Sequence, residues 1–318
     1  MKRLGFDLRC LPCHGKPGTG IAQATAGLWQ ACQKLAPAFD LQCVTEPPFE
    51  AFFASTGSVS WEIDTPTFPW VHDLAIFEHP EWFPESWLRR QYTTHKFLYG
   101  LRRARHVFCV SEDTKRALQA HLPTLERVTV TSEGVAIPAT SFSWDERLDQ
   151  VLILGTVEPR KNISFILELW PDVCLALGRP VRLIVAGQTG WGNVAIETSL
   201  NVERRTNLTD DERDTLLGES RLALVPSLHE GFGRVALEAM AHGTPVIASR
   251  RGAHPEVVGD TGVLLDPIDR QTWVESIVRL LDDRTLWNQQ SEAGRARAIL
   301  FSWDEVAKHI LAVVAENC

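Results

Sequence analysis

Short apolar segments alternate along the chain with stretches of helical periodicity. In the C-terminal half these segments are VLILG (151–155), VRLIVAG (181–187), LALVPS (222–227), PVIAS (245–249) and GVLLD (262–266). Their residues do not alternate between apolar and polar, which is typical of strands buried on both faces of a parallel sheet. The N-terminal half continues the pattern with LGFDL (4–8), HVFCV (106–110) and RVTVT (127–131). The alternation predicts an α/β protein built on doubly wound parallel sheets.

The length of the chain predicts two such domains. At 318 residues it exceeds the usual size of one domain. A polar segment near residues 141–150 separates the two sets of strands, so we predict Rossmann-like domains over residues 1–145 and 146–300. Residues 301–318 have the amphipathic pattern of a final helix, and this helix could pack back on the N-terminal domain.

Composition limits the classes of partner. The net charge of -8 argues against a general nucleic-acid-binding protein. No apolar run approaches the roughly 20 residues of a membrane span, and the N-terminus lacks the apolar core of a secretory signal, so we expect a cytoplasmic protein. Residues 85–106 are an exception to the overall negative charge, because they contain six Arg or Lys and one Glu. This segment either lies against anionic lipid headgroups at the inner face of the membrane or forms a solvated helix face.

The cysteines do not predict a cofactor. There are seven, an odd number, which suggests reduced thiols. Cys10, Cys13 and His14 have the C-x-x-C-H spacing of a haem attachment site, but such haem is attached outside the cytoplasm. A zinc site would need a second pair of ligands at suitable spacing. We therefore expect no metal and no cofactor.

Polar loops follow several of the predicted strands, where ligands bind in open parallel sheets. The loop 14–23 carries Gly15, Gly18 and Gly20, which suit either a phosphate-binding loop or an ordinary turn. His72 follows another apolar run and could contact a substrate or simply bond a backbone carbonyl. Arg160 and Lys161 directly precede a predicted helix at Ile163. Because cations oppose the helix dipole there, we expect a bound anion, for which a diphosphate fits best.

The segment HEGFGRVALEAM (229–240) holds two glutamates, Glu230 before the helix and Glu238 inside it. Eight helical positions place them about 12 Å apart and within roughly 80° of one direction. They could therefore hold two parts of an elongated polyhydroxyl ligand, with Gly231 and Gly233 permitting close backbone approach. The alternative is structural, with Glu230 stabilising the helix start and Glu238 paired with an arginine.

These motifs together resemble the retaining glycosyltransferases of glycosyltransferase family 4, which have the GT-B fold of two Rossmann-like domains facing a central cleft. The resemblance is strongest in LGTVEPRKN (154–162), VPSLHEGFGRVALEAMAHGTPVIAS (225–249) and GAHPEVVGDTGVLLDP (252–267), and extends to HDLAIFEHPEWFP (72–84) and VSEDTK (110–115). The first loop, GTGIAQ (18–23), departs from the usual spelling after its second glycine.

The resemblance implies a role for each site residue. Arg160 and Lys161 would bind the donor diphosphate, and His72 would lie near the reaction centre. Glu230 and the backbone of Gly231, Phe232 and Gly233 would hold the sugar, Glu238 the ribose, and Thr19 with Gly20 would close over the diphosphate. The implied reaction is transfer of a hexose from a nucleotide sugar, here expected to be mannose from GDP-mannose, to a glycan or lipid-linked acceptor without a metal. The segments HPEWFP and EPRKN look most like those of mannosyl- or rhamnosyl-type transferases of bacterial surface polysaccharides, among them lipopolysaccharide. The alternatives are a non-catalytic sugar-nucleotide-binding subunit and another GT-B-like enzyme, such as a phosphorylase or epimerase.

Overall fold

A computed structural model describes residues 1–11, 20–59, 63–192, 194–196 and 201–318. The chain divides into two compact units, the first comprising Met1–Pro80, Glu85–Gly134 and Phe301–Cys318, and the second Glu81–Pro84 and Val135–Leu300.

The first unit is built on a parallel sheet in the order β2-β1-β3-β4-β5-β6. Its strands are β1 Lys2–Phe6, β2 Leu41–Val44, β3 Ala51–Ala54, β4 Thr67–Val71, β5 Val107–Cys109 and β6 Val128–Val130. Its helices are α1 Gly20–Leu35, α2 Ala75–Glu78, α3 Trp87–Arg103, α4 Glu112–His121 and α11 Trp303–Asn317. The Ser111 hydroxyl accepts a hydrogen bond from Thr114 N at 3.0 Å and so caps the start of α4.

The second unit contains a parallel sheet in the order β12-β11-β10-β7-β8-β9. Its strands are β7 Leu148–Leu154, β8 Arg182–Ala186, β9 Val202–Arg205, β10 Ser220–Val225, β11 Val246–Ser249 and β12 Val263–Leu265. Its helices are α5 Ile163–Leu177, α6 Asp210–Glu219, α7 Arg234–Ala241, α8 His254–Val258, α9 Arg270–Asp282 and α10 Arg284–Ala298. Strand order reverses between β7 and β10, and the carboxyl ends of two such strands are where open α/β sheets bind ligands.

The boundary between the units lies at Gly134, earlier than the predicted residue 145. The segment that follows is bonded to the second unit, because Arg295 Nη2 donates to Pro138 O at 2.8 Å and Arg284 pairs with Asp145 at 2.6 Å. Residues 301–318 belong to the first unit, where α11 packs against α1.

Close packing explains two glycines of the first unit. A Cβ on Gly27 in α1 would lie 2.4 Å from the Trp303 ring, and one on Gly134 would lie 2.5 Å from the same ring. Trp303 therefore occupies space that only glycine leaves open on both segments.

Among the described residues, no helix is both long enough and apolar enough to cross a bilayer. The six cysteines in this part of the chain are free thiols. The seventh, Cys13, lies outside the described residues together with His14, so the C-x-x-C-H segment is described only at Cys10.

Candidate functional site

The loops that follow β7 and β10 bring Arg160, Lys161 and Glu230 into direct contact. Lys161 Nζ lies 2.5 Å from Glu230 Oε1, and Arg160 Nη1 lies 3.0 Å from Glu230 Oε2. The Ser227 hydroxyl donates a further hydrogen bond to Oε1 at 2.7 Å. Three of the four residues predicted to be catalytic therefore form one cluster at the point where the strand order of this sheet reverses.

Arg160 is held on several sides by groups that the sequence did not identify. Its Nη1 donates to the carbonyl oxygen of His229 at 2.9 Å as well as to Glu230. Its Nε and Nη2 both approach Oε1 of Glu158, at 3.0 and 2.7 Å. Glu158 is 3% exposed, so this guanidinium bridges two carboxylates of low exposure. Arg160 is thus engaged by protein on each of its donor nitrogens.

Lys161 is held much less. Within the described residues its ammonium donates a single hydrogen bond, to Glu230, and an ammonium has three N–H groups. A Cβ on Gly155, at the end of β7, would lie 3.7 Å from Lys161 Cε, so the lysine stem lies beside the strand end. Of the two predicted anion-binding cations, Lys161 has the larger remaining capacity for a ligand.

The pKa values of the two carboxylates bonded to Arg160 are shifted in opposite directions. Burial by itself raises the pKa of Glu230, but Lys161 and Arg160 outweigh it and hold the pKa well below its usual range. Burial dominates at Glu158 and raises its pKa, even though Arg160 and Lys161 oppose it. Glu230 is therefore an ionised carboxylate that accepts hydrogen bonds.

Replacement of Glu230 by glutamine is expected to change how stability depends on pH. Because the pKa of Glu230 is lower in the folded state, its contribution is complete above the unfolded value near 4.5 and is lost as pH falls below it. We expect Glu230→Gln to cost about 3 kcal/mol near pH 7, and the difference from wild type to shrink below pH 4.5. Urea unfolding between pH 7 and pH 3.5 measures the free energy of unfolding of both proteins. The control is Glu305→Gln, which breaks an exposed ion pair with Lys308. Parallel pH profiles for wild type and Glu230→Gln would contradict the assignment.

The glycine loop between Glu230 and α7 has backbone geometry that requires glycine at one position. Gly233 has φ of 95°, in the left-handed region that favours glycine, and directly precedes α7. A Cβ there would also lie 2.8 Å from the ring of His254. Phe232 is 5% exposed, so its ring is core and only its backbone is a candidate for ligand contact.

Glu238 lies within α7 and is paired with two arginines. Arg213 Nη2 donates to its Oε2 at 2.6 Å, and Arg234 Nε lies 2.9 Å from its Oε1. The structural alternative for Glu238, pairing with arginine, is therefore present in the molecule. Arg234 stands four residues before Glu238, a spacing that the sequence could have revealed, whereas Arg213 comes from α6 and carried no local signal. Two carboxylate oxygens have about four acceptor positions, so both arginines leave room for hydroxyl donors.

His254 is a neighbour of this cluster that the sequence did not single out as a site residue. It is 0% exposed, and its Nδ1 lies 2.9 Å from the carbonyl oxygen of Ser249. Its Nε2 has no hydrogen-bond partner among the described residues. Burial lowers the pKa of His254, although the negative charge of Glu230 opposes this. A neutral ring that donates from Nδ1 presents Nε2 as a buried acceptor.

His72, the fourth predicted catalytic residue, lies in the first unit and follows β4. Its Nδ1 lies 2.9 Å from Glu133 Oε1, and its Nε2 lies 2.8 Å from the carbonyl oxygen of Ser55. The ring is 8% exposed and packs on Trp70 at a centroid distance of 4.6 Å. The structural alternative, a histidine that bonds a backbone carbonyl, is therefore observed, and a substrate contact at either ring nitrogen would have to replace one of these bonds.

The predicted phosphate loop is mostly outside the described residues, which resume at Gly20. Thr19 lies among the residues that are not described. Gly20 is the first residue of α1 and is exposed. The closure of these two residues over a diphosphate therefore stays a prediction.

The basic segment 85–106 contains α3, which Ser86 begins by accepting a hydrogen bond from Arg89 N at 3.4 Å. Four large apolar or aromatic side chains on this helix are exposed: Trp87 at 66%, Leu88 at 72%, Tyr92 at 69% and Tyr99 at 52%. The helix thus combines exposed apolar surface with cations.

Residues 149–283 match the sequence profile of the family Glycosyl transferases group 1. The matched region covers less than half of the chain. It contains Arg160, Lys161, Glu230 and Glu238, the charged residues among the predicted site residues of the second unit.

Three curated relatives extend the comparison. The O-antigen chain mannosyltransferase B of Escherichia coli is 29% identical over 258 residues, 73% of this chain and 66% of the relative. The MMP alpha-(1->4)-mannosyltransferase of Mycolicibacterium hassiacum is 43% identical over 116 residues, 35% of this chain and 28% of the relative. A D-inositol 3-phosphate glycosyltransferase of Salinispora arenicola is 40% identical over 209 residues, 58% of this chain and 45% of the relative. Each match therefore spans less than two thirds of the relative's length.

Solved structures match nearly the whole chain. Anabaena Alr3699/HepE in complex with UDP-glucose aligns with a TM-score of 0.75 at 17% identity, covering 99% of this chain and 100% of that one. WaaG, a glycosyltransferase involved in lipopolysaccharide biosynthesis, aligns with a TM-score of 0.68 at 13% identity, covering 98% and 99%. This likeness confirms the predicted fold class, an α/β fold of the GT-B type.

Proposed function

We propose that this chain is a glycosyltransferase that moves a hexose from a nucleoside diphosphate sugar to a hydroxyl acceptor. The observation that carries the proposal is the contact of Lys161 and Arg160 with the ionised Glu230 at the point where the second sheet reverses its strand order. An ammonium with N–H groups to spare beside a carboxylate offers a diphosphate and a sugar hydroxyl their complementary partners in one place. The family match over residues 149–283 supports the same reading.

In the proposed reaction the bond between sugar C1 and the β-phosphate oxygen breaks, and a bond forms between C1 and the acceptor oxygen. The acceptor proton passes to the departing diphosphate, and the anomeric configuration is retained. Negative charge increases on the leaving oxygens in the transition state, where a positioned cation stabilises it most. Lys161 is suited to that role, whereas Arg160 positions Glu230 through its bonds to Glu158 and the His229 carbonyl.

The same proposal assigns the remaining residues. Glu230 and the backbone of residues 231–233 accept and donate bonds to the sugar hydroxyls, and Glu238 holds the ribose while Arg213 and Arg234 keep its carboxylate in place. His72, braced by Glu133, acts near the sugar. Thr19 and Gly20 close over the diphosphate. No metal or cofactor takes part.

For the sugar we propose mannose, with GDP-mannose as donor and a glycan or lipid-linked acceptor of a bacterial surface polysaccharide. Two of the relatives described above are named mannosyltransferases, one of them for the O-antigen chain. A lipid-linked acceptor would place the enzyme at the cytoplasmic face of a membrane, and the exposed aromatic and basic side chains of α3 suit peripheral contact there.

Nucleotide binding tests the donor site. Calorimetric titration with UDP, GDP, ADP and dTDP, with and without EDTA, is expected to show metal-independent binding of one nucleotide. We propose that this nucleotide is GDP. Glu238→Gln is expected to weaken it by about tenfold, because a charged hydrogen-bond acceptor to the ribose is lost. The control is Glu275→Gln, an exposed helical glutamate bonded to Gln271. Failure of all four nucleotides to bind would overturn the donor site.

Turnover separates the enzyme from a non-catalytic binding subunit. The donor for this test is the sugar nucleotide that contains the nucleotide found to bind. We expect the chain to hydrolyse this donor slowly, which releases the nucleoside diphosphate, and to release it faster when a mannose-containing acceptor is present. Nuclear magnetic resonance of the product reports the anomeric configuration, and an inverted product would contradict retention. Tight nucleotide binding without any release of diphosphate would favour the binding subunit.

A further inference from the structure

A cavity of about 420 Å³ opens in the first unit, and its lining includes none of the residues proposed to hold the donor. Its lining comes from the C-terminal half of α3, from the segments just before β4, β5 and β6, and from Val59 and Ile63. The polar residues of this lining are Asp64, Thr65, Thr67, Lys96, Tyr99, Arg103, Arg105 and Arg127. His72, by contrast, follows the carboxyl end of β4. Because the strands are parallel, the cavity lies at the edge of the sheet opposite to the one that carries His72.

The cavity concentrates positive charge in a chain whose net charge is -8. Among the residues that the structure describes, four cations, Lys96, Arg103, Arg105 and Arg127, line the cavity with one carboxylate, Asp64. Within the described part of the chain, none of the four is ion-paired with a carboxylate. Like charges held together in this way raise the free energy of the empty site, and a bound anion would remove that cost.

Helix-end electrostatics do not account for the whole cluster. Arg103 in the last turn of α3 complements the helix dipole. Arg127 enters from another segment and donates from Nε to Ala104 O at 2.6 Å, while Arg105 Nε donates to Asn317 O at 3.2 Å. These two guanidinium groups are thus anchored by backbone carbonyls and still have further N–H groups. They are held in place before any ligand arrives.

Hydroxyl groups complete the site. Arg103 Nη1 donates to the Tyr99 hydroxyl at 3.2 Å, and the guanidinium lies 5.6 Å from the centroid of that ring. The Thr65 hydroxyl is buried and has no hydrogen-bond partner among the described residues. A buried hydroxyl without a partner is uncommon and costs free energy. Several guanidinium forks and an ammonium match the tetrahedral oxygens of a phosphate group better than a single carboxylate.

We propose that this cavity is a binding site for a phosphate-bearing ligand, separate from the donor diphosphate site. The ligand is either a soluble phosphate ester or the phosphate headgroup of an anionic lipid. The lipid source is favoured by α3, because Leu88, Tyr92 and Tyr99 share the face of that helix that carries Lys96 and Arg103. Apolar side chains could then enter the membrane interface while the cavity takes the headgroup. The site does not depend on the proposed transferase reaction.

Titration with inorganic phosphate and with glycerol 3-phosphate tests the site. The double variant Lys96→Gln and Arg103→Gln removes two exposed cations of the lining without changing a core residue. We expect it to weaken phosphate binding by about tenfold or more, since two charge-assisted contacts are lost. The control is Arg102→Gln, an exposed arginine on the same helix outside the lining, for which we expect a change within about twofold. Thermal melting verifies that both variants fold, and GDP and UDP binding, measured alongside, reports the donor site independently.

Vesicle flotation distinguishes the two sources. Binding to phosphatidylcholine vesicles that contain phosphatidylglycerol, lost in the double variant but kept in Arg102→Gln, assigns a lipid headgroup. If the double variant loses binding of the soluble phosphates while binding to the vesicles does not depend on Lys96 and Arg103, the ligand is a soluble phosphate ester. If the double variant binds soluble phosphates and anionic vesicles as the wild type does, the proposal is wrong.

Discussion

Replacing Lys161 by glutamine is expected to reduce kcat of sugar transfer by about 100-fold, with a smaller change in KM for the donor. Loss of one positioned group that stabilises charge developing in a transition state typically has this magnitude. The effect falls on kcat because charge on the leaving diphosphate is greater in the transition state than in the bound donor. Glu230 would keep its bonds to Arg160 and Ser227, so its carboxylate stays in place. Steady-state kinetics with the donor identified by calorimetry measure both constants.

The matched control for this prediction is Lys308→Gln. Lys308 also lies close to a glutamate, with Nζ 2.6 Å from Glu305, but its side chain is 50% exposed and belongs to α11. Its replacement is expected to leave kcat and KM unchanged. If Lys161→Gln turned over within about threefold of wild type at saturating donor, leaving-group stabilisation would have to come from another residue.

Several strands that the sequence predicted have apolar side chains that are buried in the middle of a sheet. Thus β7, β8 and β10 appear where VLILG, VRLIVAG and LALVPS predicted them. The strands that the sequence did not predict were missed for different reasons. The segment VERR of β9 lies at the sheet edge and carries three charged residues. The segment AFFA of β3 is fully buried, but its four residues are too few to distinguish a strand from a helical turn.

The site divides in the same way between local and tertiary information. Sequence spacing placed Arg160, Lys161 and Glu230 in loops after two predicted strands. The structure adds that these strands, β7 and β10, are neighbours in the sheet, so their carboxyl ends lie together. The spacing could not show that Glu158 and the His229 carbonyl occupy Arg160, since both contacts depend on how the loops fold onto each other. Nor could it show His254 beside Gly233, which lies 21 residues earlier in the chain. Tertiary contacts therefore change the proposed roles: Arg160 becomes a positioning residue and Lys161 the candidate for direct contact.

Replacing Gly252 by alanine is expected to disturb the Glu230 loop strongly, although the change adds only one methyl group. Gly252 lies between β11 and α8 with φ of 55°. An added Cβ would lie 2.3 Å from Glu230 O and 2.7 Å from Glu230 N, both backbone atoms that cannot rotate away. The next residue, Ala253, donates from its N–H to the same Glu230 carbonyl at 2.9 Å. We expect Gly252→Ala to cost about 3 kcal/mol or more and to weaken donor binding, because the loop that holds Glu230 must shift.

Gly178→Ala separates the steric part of this effect from the backbone part. Gly178 follows α5 in a similar left-handed conformation, with φ of 64°, but a Cβ there would meet nothing within 4 Å. Its replacement should therefore cost only the conformational penalty of about 1 kcal/mol. Thermal unfolding would then show a fall in Tm of roughly 2 to 4 °C for Gly178→Ala and about 6 °C or more for Gly252→Ala. Equal shifts would mean that the backbones of residues 230 and 252 do not approach as closely as the structure describes. The larger shift with unchanged nucleotide binding would mean that the packing of Glu230 is structural and independent of the donor site.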